Sequence, residues 1–125
     1  MNKLGGITII DAMKRLILIF AEKSTDRSTL DELYQMADDR GSWNRAHDLF
    51  QRIRRKTLDA ERRGATIFVV QYAFEEACAK TLYNLPLSPA PFDPDSPYWI
   101  IPNALVTARH FGIDTNEIIS AVISN

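Results

Sequence analysis

The sequence predicts an all-α protein, an irregular bundle of about six helices with a proline-rich loop between the fourth and fifth. Three observations predict it. Apolar residues recur every three or four positions along most of the chain. Helix-start residues such as Thr8, Ser28 and Asp114 and helix-stop glycines at 41, 64 and 112 punctuate that pattern. Five prolines fall between Leu85 and Pro97, where no regular element survives them. At 125 residues, the chain is long enough for one domain, 1–125, with its own core. Its 46% hydrophobic and 25% charged residues are ordinary for a soluble globular protein.

The first helix opens on Thr8, with Asp11 three residues on in a capping-box-like pattern. Ile9, Met13, Leu16, Ile17 and Phe20 follow at helical spacing, and Ile10, Leu18 and Ile19 widen the apolar face until the helix reads as central. The second begins near Ser28 or Thr29 with Asp31 or Glu32 at N3, runs over Leu30, Leu33, Tyr34 and Ala37, and stops at Gly41. Ser42 then caps a third helix on Trp43, Ala46, Phe50, Ile53, Thr57 and Ala60, and so short a junction predicts a hairpin of helices two and three.

Residues 66–84 carry a β-branched start, Thr66-Ile67-Phe68-Val69-Val70, that would also suit a strand. Val70, Phe74, Ala77, Cys78 and Thr81 keep the helical period, Glu76 stands four before Lys80, and a lone strand is unstable, so a fourth helix is predicted. Ser96 and Pro97 read as N-cap and N1 of a fifth helix that runs to His110 and is irregular at Pro102. Gly112-Ile113 reads as a Schellman ending. Asp114 and Glu117 then start a last short helix over Ile118, Ile119, Val122 and Ile123.

A single cysteine, Cys78, forms no internal disulfide and suits a reducing compartment. The apolar run 7–20 holds Asp11, Lys14 and Arg15, so it is neither a membrane span nor a signal peptide. A cytoplasmic protein is expected. His47 and His110 fit no metal-ligand spacing, Cys78 falls on an apolar stripe, and no glycine-rich phosphate loop is present. No catalytic residue, cofactor, metal or small-molecule ligand is expected.

Charge says more. Residues 40–63 hold eight basic and three acidic residues, a local net of +5, which leaves −6 for the rest of a chain of net −1. Such a helix can track phosphates, or it can be a solvent face laced by Asp48–Arg52, Arg55–Asp59 and Asp59–Arg63 pairs. The acidic residues gather on the second helix, as Asp31, Glu32, Asp38 and Asp39, and in the proline-rich loop, as Asp93 and Asp95. They either mimic phosphate for a basic cleft on a partner or serve as local caps and turn formers. Tyr98 and Trp99 add aromatic area of the kind that anchors interfaces, and Trp99 also suits a core.

The run from Gln71 to Leu85 (QYAFEEACAKTLYNL), continued by Pro91 to Ala104 (PFDPDSPYWIIPNA), resembles small bacterial immunity proteins of contact-dependent growth inhibition and related polymorphic toxin systems. The resemblance covers roughly the C-terminal half and carries over no catalytic residue. It implies a non-enzymatic inhibitor that binds one toxin, often a nuclease, in a one-to-one complex. On that reading Asp31, Glu32, Asp38, Asp39, Asp93, Asp95 and Tyr98 meet the partner. The alternative is a small nucleic-acid-binding or regulatory domain working through Arg45, Arg52, Arg55, Lys56 and Arg63. A third reading is an adaptor with a peptide groove between helices.

Overall fold

A computed structural model describes residues 3–4, 7–84 and 100–123. The proline-rich segment, with Asp93, Asp95, Ser96, Pro97, Tyr98 and Trp99, lies outside the described residues. Over the described residues the fold is an all-α bundle of six helices. They are α1 (Ile9–Lys23), α2 (Ser28–Asp38), α3 (Ala46–Arg63), α4 (Thr66–Asn84), α5 (Ile100–Phe111) and α6 (Thr115–Ile123). A 3₁₀ segment, Arg40–Arg45, leads into α3. A two-residue antiparallel pair, β1 (Lys3–Leu4) with β2 (Ile7–Thr8), precedes α1 and was not expected from the sequence.

Most caps follow the residues that announced them. Thr8 Oγ1 accepts the Asp11 N–H at 3.1 Å. Gly64 and Gly112 adopt φ of 69° and 72°, where a side chain is strained. Each closes a Schellman turn: Ala65 N–H bonds Ala60 O at 2.9 Å, and Ile113 N–H bonds Ala108 O at 2.8 Å. Asp114 Oδ1 accepts the Asn116 N–H at the start of α6. The β-branched start of α4 is helical, because its buried residues hold the helical period down to Leu82. Pro102 sits in the first turn of α5, where a missing N–H breaks no intrahelical bond.

Two junctions differ from the sequence reading. Ser28 does not cap α2; it is the first helical residue, and Asp26 Oδ1 accepts both its N–H and its hydroxyl. Ser42 does not cap α3 either. It lies inside the 3₁₀ segment, its hydroxyl donates to Asp39 O at 2.7 Å, and α3 begins four residues later at Ala46. That extra turn carries Trp43 back under α2, where its Nε1–H donates to Met36 O at 3.0 Å. Consequently α3 lies along α4, through the tight Gly64-Ala65 joint, and reaches α2 chiefly by long side chains. The expected hairpin of helices two and three is a hairpin of α3 and α4.

One continuous apolar core joins all six helices. Phe20 of α1 and Phe74 of α4, both fully buried, meet edge to face at 4.9 Å, and Phe111 closes the group at 6.1 Å from Phe20. Such aromatic pairs add about 1 kcal/mol beyond their burial. The helix most enclosed by others is α4, which packs on α2, α3, α5 and the 3₁₀ segment, while α1 leaves Leu18 half exposed.

Candidate functional site

The polar architecture starts from a pair that the apolar stripe conceals. Gln71 and Glu75, one helical turn apart on α4, are fully buried. Gln71 Nε2 donates to Glu75 Oε2 at 2.7 Å and to Asp26 O at 2.9 Å, while its Oε1 accepts the Ser24 hydroxyl at 2.6 Å. Ser24 Oγ in turn accepts the Asp26 N–H at 3.0 Å. The link between α1 and α2 is therefore stitched to α4 by buried bonds. Among the described residues Glu75 Oε1 has no hydrogen-bond partner. Burial pushes the Glu75 carboxyl up to about 7, against the opposing pull of Thr29, Gln71 and the Lys56 charge. Cys78, one turn further on, is also enclosed; burial, then the Glu75 charge, holds its thiol well above the usual range, an inert setting.

Asp26 carries this network to the surface. Its carboxylate meets Lys56 Nζ at 2.8 Å and accepts the Tyr72 hydroxyl. Burial alone would raise Asp26, but bonds from Lys56, Tyr72 and Ser28 outweigh it and hold the group well below the usual carboxylate range. Lys56 also donates to Ser28 and Thr29 and lies 4.8 Å from the centre of the Tyr72 ring. One ammonium thus ties α3 to the start of α2 and to α4.

Outside this hub, α2 and α3 face solvent with opposite charge. Helix α2 carries no basic residue, and Asp31 and Asp38 are about 60% exposed. Each acidic residue of the predicted set on α2 and its end has an intramolecular contact. Lys14 holds Asp38 at 2.6 Å, Arg52 holds Glu32, Arg27 stands 3.9 Å from Asp31, and Asp39 Oδ1 accepts the Gly41 N–H at 3.1 Å. On α3, only one of the three expected i,i+4 pairs closes, Arg63 Nε to Asp59 at 3.0 Å. Arg52 turns across to Glu32 instead, and Arg54 reaches Glu76 of α4 at 3.4 Å.

Two adjoining clefts open on this face and share Arg52. One, about 420 Å³, is lined by Glu32, Asp39, Arg45 and Asp48 among others. The second, about 580 Å³, lies between the start of α2, the outer side of α3 and Tyr72. The predicted residues Glu32 and Asp39, and the alternative residues Arg45, Arg52, Arg55, Lys56 and Arg63, thus come together; Asp31 and Asp38 do not line either cleft. Where α3 begins and α4 ends, His47, Phe50 and Tyr83 form a ring cluster, with His47 exposed and 5.2 Å from Tyr83. The contact of His47 with Tyr83 joins positions 36 residues apart. His110 is exposed at the end of α5, with Nδ1 3.1 Å from Val106 O.

Among the described residues no group of three His, Cys, Asp or Glu side chains is placed to hold a metal ion. No described helix is long and apolar enough to cross a membrane. No family model matches this chain, and no significant match exists among curated proteins or solved structures.

Proposed function

We propose that this chain is a bacterial immunity protein, a cytoplasmic, non-catalytic inhibitor that binds one cognate toxin domain and blocks its access to substrate. The observation that carries the reading is the acidic side of α2. Asp31, Glu32, Asp38 and Asp39 crowd a helix and its C-terminal turn, and the paired carboxylates of Asp31, Glu32 and Asp38 are 59%, 39% and 61% exposed. Exposed ion pairs are worth about 0–1 kcal/mol. Lysines and arginines of a nuclease groove can therefore replace Lys14, Arg27 and Arg52 at small cost, and gain more once water is excluded.

The buried bonds from Ser24, Asp26 and Gln71 fix the start of α2, so the acidic side is presented without an ordering cost on binding. The His47–Phe50–Tyr83 rings, where α3 begins and α4 ends, offer aromatic area of the kind that anchors interfaces. By sequence, Asp93, Asp95 and Tyr98 extend the set. A standard interface takes about 800 Å² per partner, which one helix side and a loop provide.

A growth assay tests this. Cells expressing the toxin domain should be protected by the wild-type chain and not by the triple variant D31N/E32Q/D38N, whose melting temperature should stay close to wild type. Full protection by that variant would remove the α2 surface from the interface.

A further inference from the structure

The cleft of about 580 Å³ beside α3 is not used by the inhibitor reading, and its lining is of opposite sign to the α2 side. Arg52, Arg55, Lys56 and Arg63 line it against only Asp26 and Asp59, with the Ser28 and Thr29 hydroxyls at one wall. Its volume lies in the range of small-ligand sites. Asp26 is already engaged by Lys56 and Tyr72. Asp59 is held by Arg63 in a pair more than half exposed, which a stronger anion can displace. Arg55 has no ion-pair partner among the described residues and is exposed. The cleft also meets the first residues of α2, where Asp26 Oδ1 already takes the Ser28 N–H, so the positive field comes from the α3 side chains.

We propose that this cleft is a binding site for a compact, multiply charged phosphate anion of the pyrophosphate class. Compactness follows from the surroundings. Glu32 and Asp48 stand beside Arg52 in the adjoining cleft, and Asp59 stands beside Arg63, so an extended polyanion laid along α3 meets carboxylates at both ends. Nor is there a platform for a base. Lys56 covers the Tyr72 ring at 4.8 Å, and Phe68 stacks on it at 5.8 Å with an 18° tilt. Arg55 and Arg52 supply planar donors that match phosphate oxygens.

Calorimetric titration of the full chain with pyrophosphate at low salt, together with amide shift mapping, tests the site. One saturable event is expected, with the largest shifts at Ser28, Thr29 and Arg55. Arg55→Gln should weaken binding about tenfold or more. Arg109→Gln, an exposed arginine on α5, should leave it unchanged. Absence of binding, equal affinity of the Arg55→Gln variant, or shifts scattered over the surface would overturn the site. A short single-stranded oligonucleotide that binds far more tightly than pyrophosphate, with a steep salt dependence, would also overturn it in favour of an extended nucleic-acid surface.

Discussion

Glu75 is the residue at which local rules and the fold conflict most. A carboxyl with no exposure and one unpartnered oxygen is costly when ionised, and its pKa rises from 4.5 to about 7. The sign of the effect on stability follows. Between those values the unfolded chain gives up the proton first, so the folded state is favoured at and below pH 4.5 and loses that advantage as pH climbs through 7. The loss is about 3 kcal/mol on the one-unit scale. Glu75→Gln keeps the acceptor for Gln71 and should abolish most of the slope between pH 5 and 8 in denaturant unfolding (~0 against ~3 kcal/mol). An unchanged slope would show that another group titrates. Asp26, held low, acts in the opposite window: its contribution is present above its ordinary pKa of 3.8 and fades in acid below it.

At the scale of elements, helix existence and type were legible because periodicity, capping residues and glycines agreed with one another. Thr8, Gly64 and Gly112 were read directly from the chain. Connectivity was less so. A short junction at Gly41-Ser42 implied a hairpin, but local spacing cannot register that Trp43 has a distant carbonyl to reach, at Met36, and the 3₁₀ turn that serves it redirects α3 onto α4. The stripe on α3 also placed Phe50 inside and passed over Leu49, which is fully buried while Phe50 is only partly so.

Leu49→Ala should therefore cost about 3 kcal/mol in equilibrium unfolding, the range for a fully enclosed leucine. A loss below about 1 kcal/mol, the level of surface substitutions, would contradict its burial. At the α3–α4 joint, Gly64 meets nothing within 4 Å of an added Cβ, so Gly64→Ala tests backbone strain alone. The expected loss is about 1 kcal/mol, checked in the same titration.

For the whole molecule, the charge segregation read from composition survives in three dimensions, but its pairing does not follow sequence neighbours. Arg52 was assigned to Asp48 and binds Glu32, twenty positions away. The candidate site was only half legible for the same reason. Asp31, Glu32, Asp38 and Asp39 were visible as a local acidic cluster, whereas Asp26, Gln71, Tyr72 and Glu75 form a site only once three helices meet. A polar pair one turn apart inside an apolar stripe, Gln71 and Glu75, was the available signal. The same electrostatics predict association with a basic toxin groove that slows as salt is raised, because screening shortens the reach of the α2 carboxylates.

The most direct test of the central claim is calorimetric titration of this protein with the C-terminal toxin domain of a secreted protein, sought in the reading frame that adjoins its own. The account predicts tight one-to-one binding that the D31N/E32Q/D38N variant loses in large part. Absence of binding to that domain, with both proteins folded, would contradict the immunity reading.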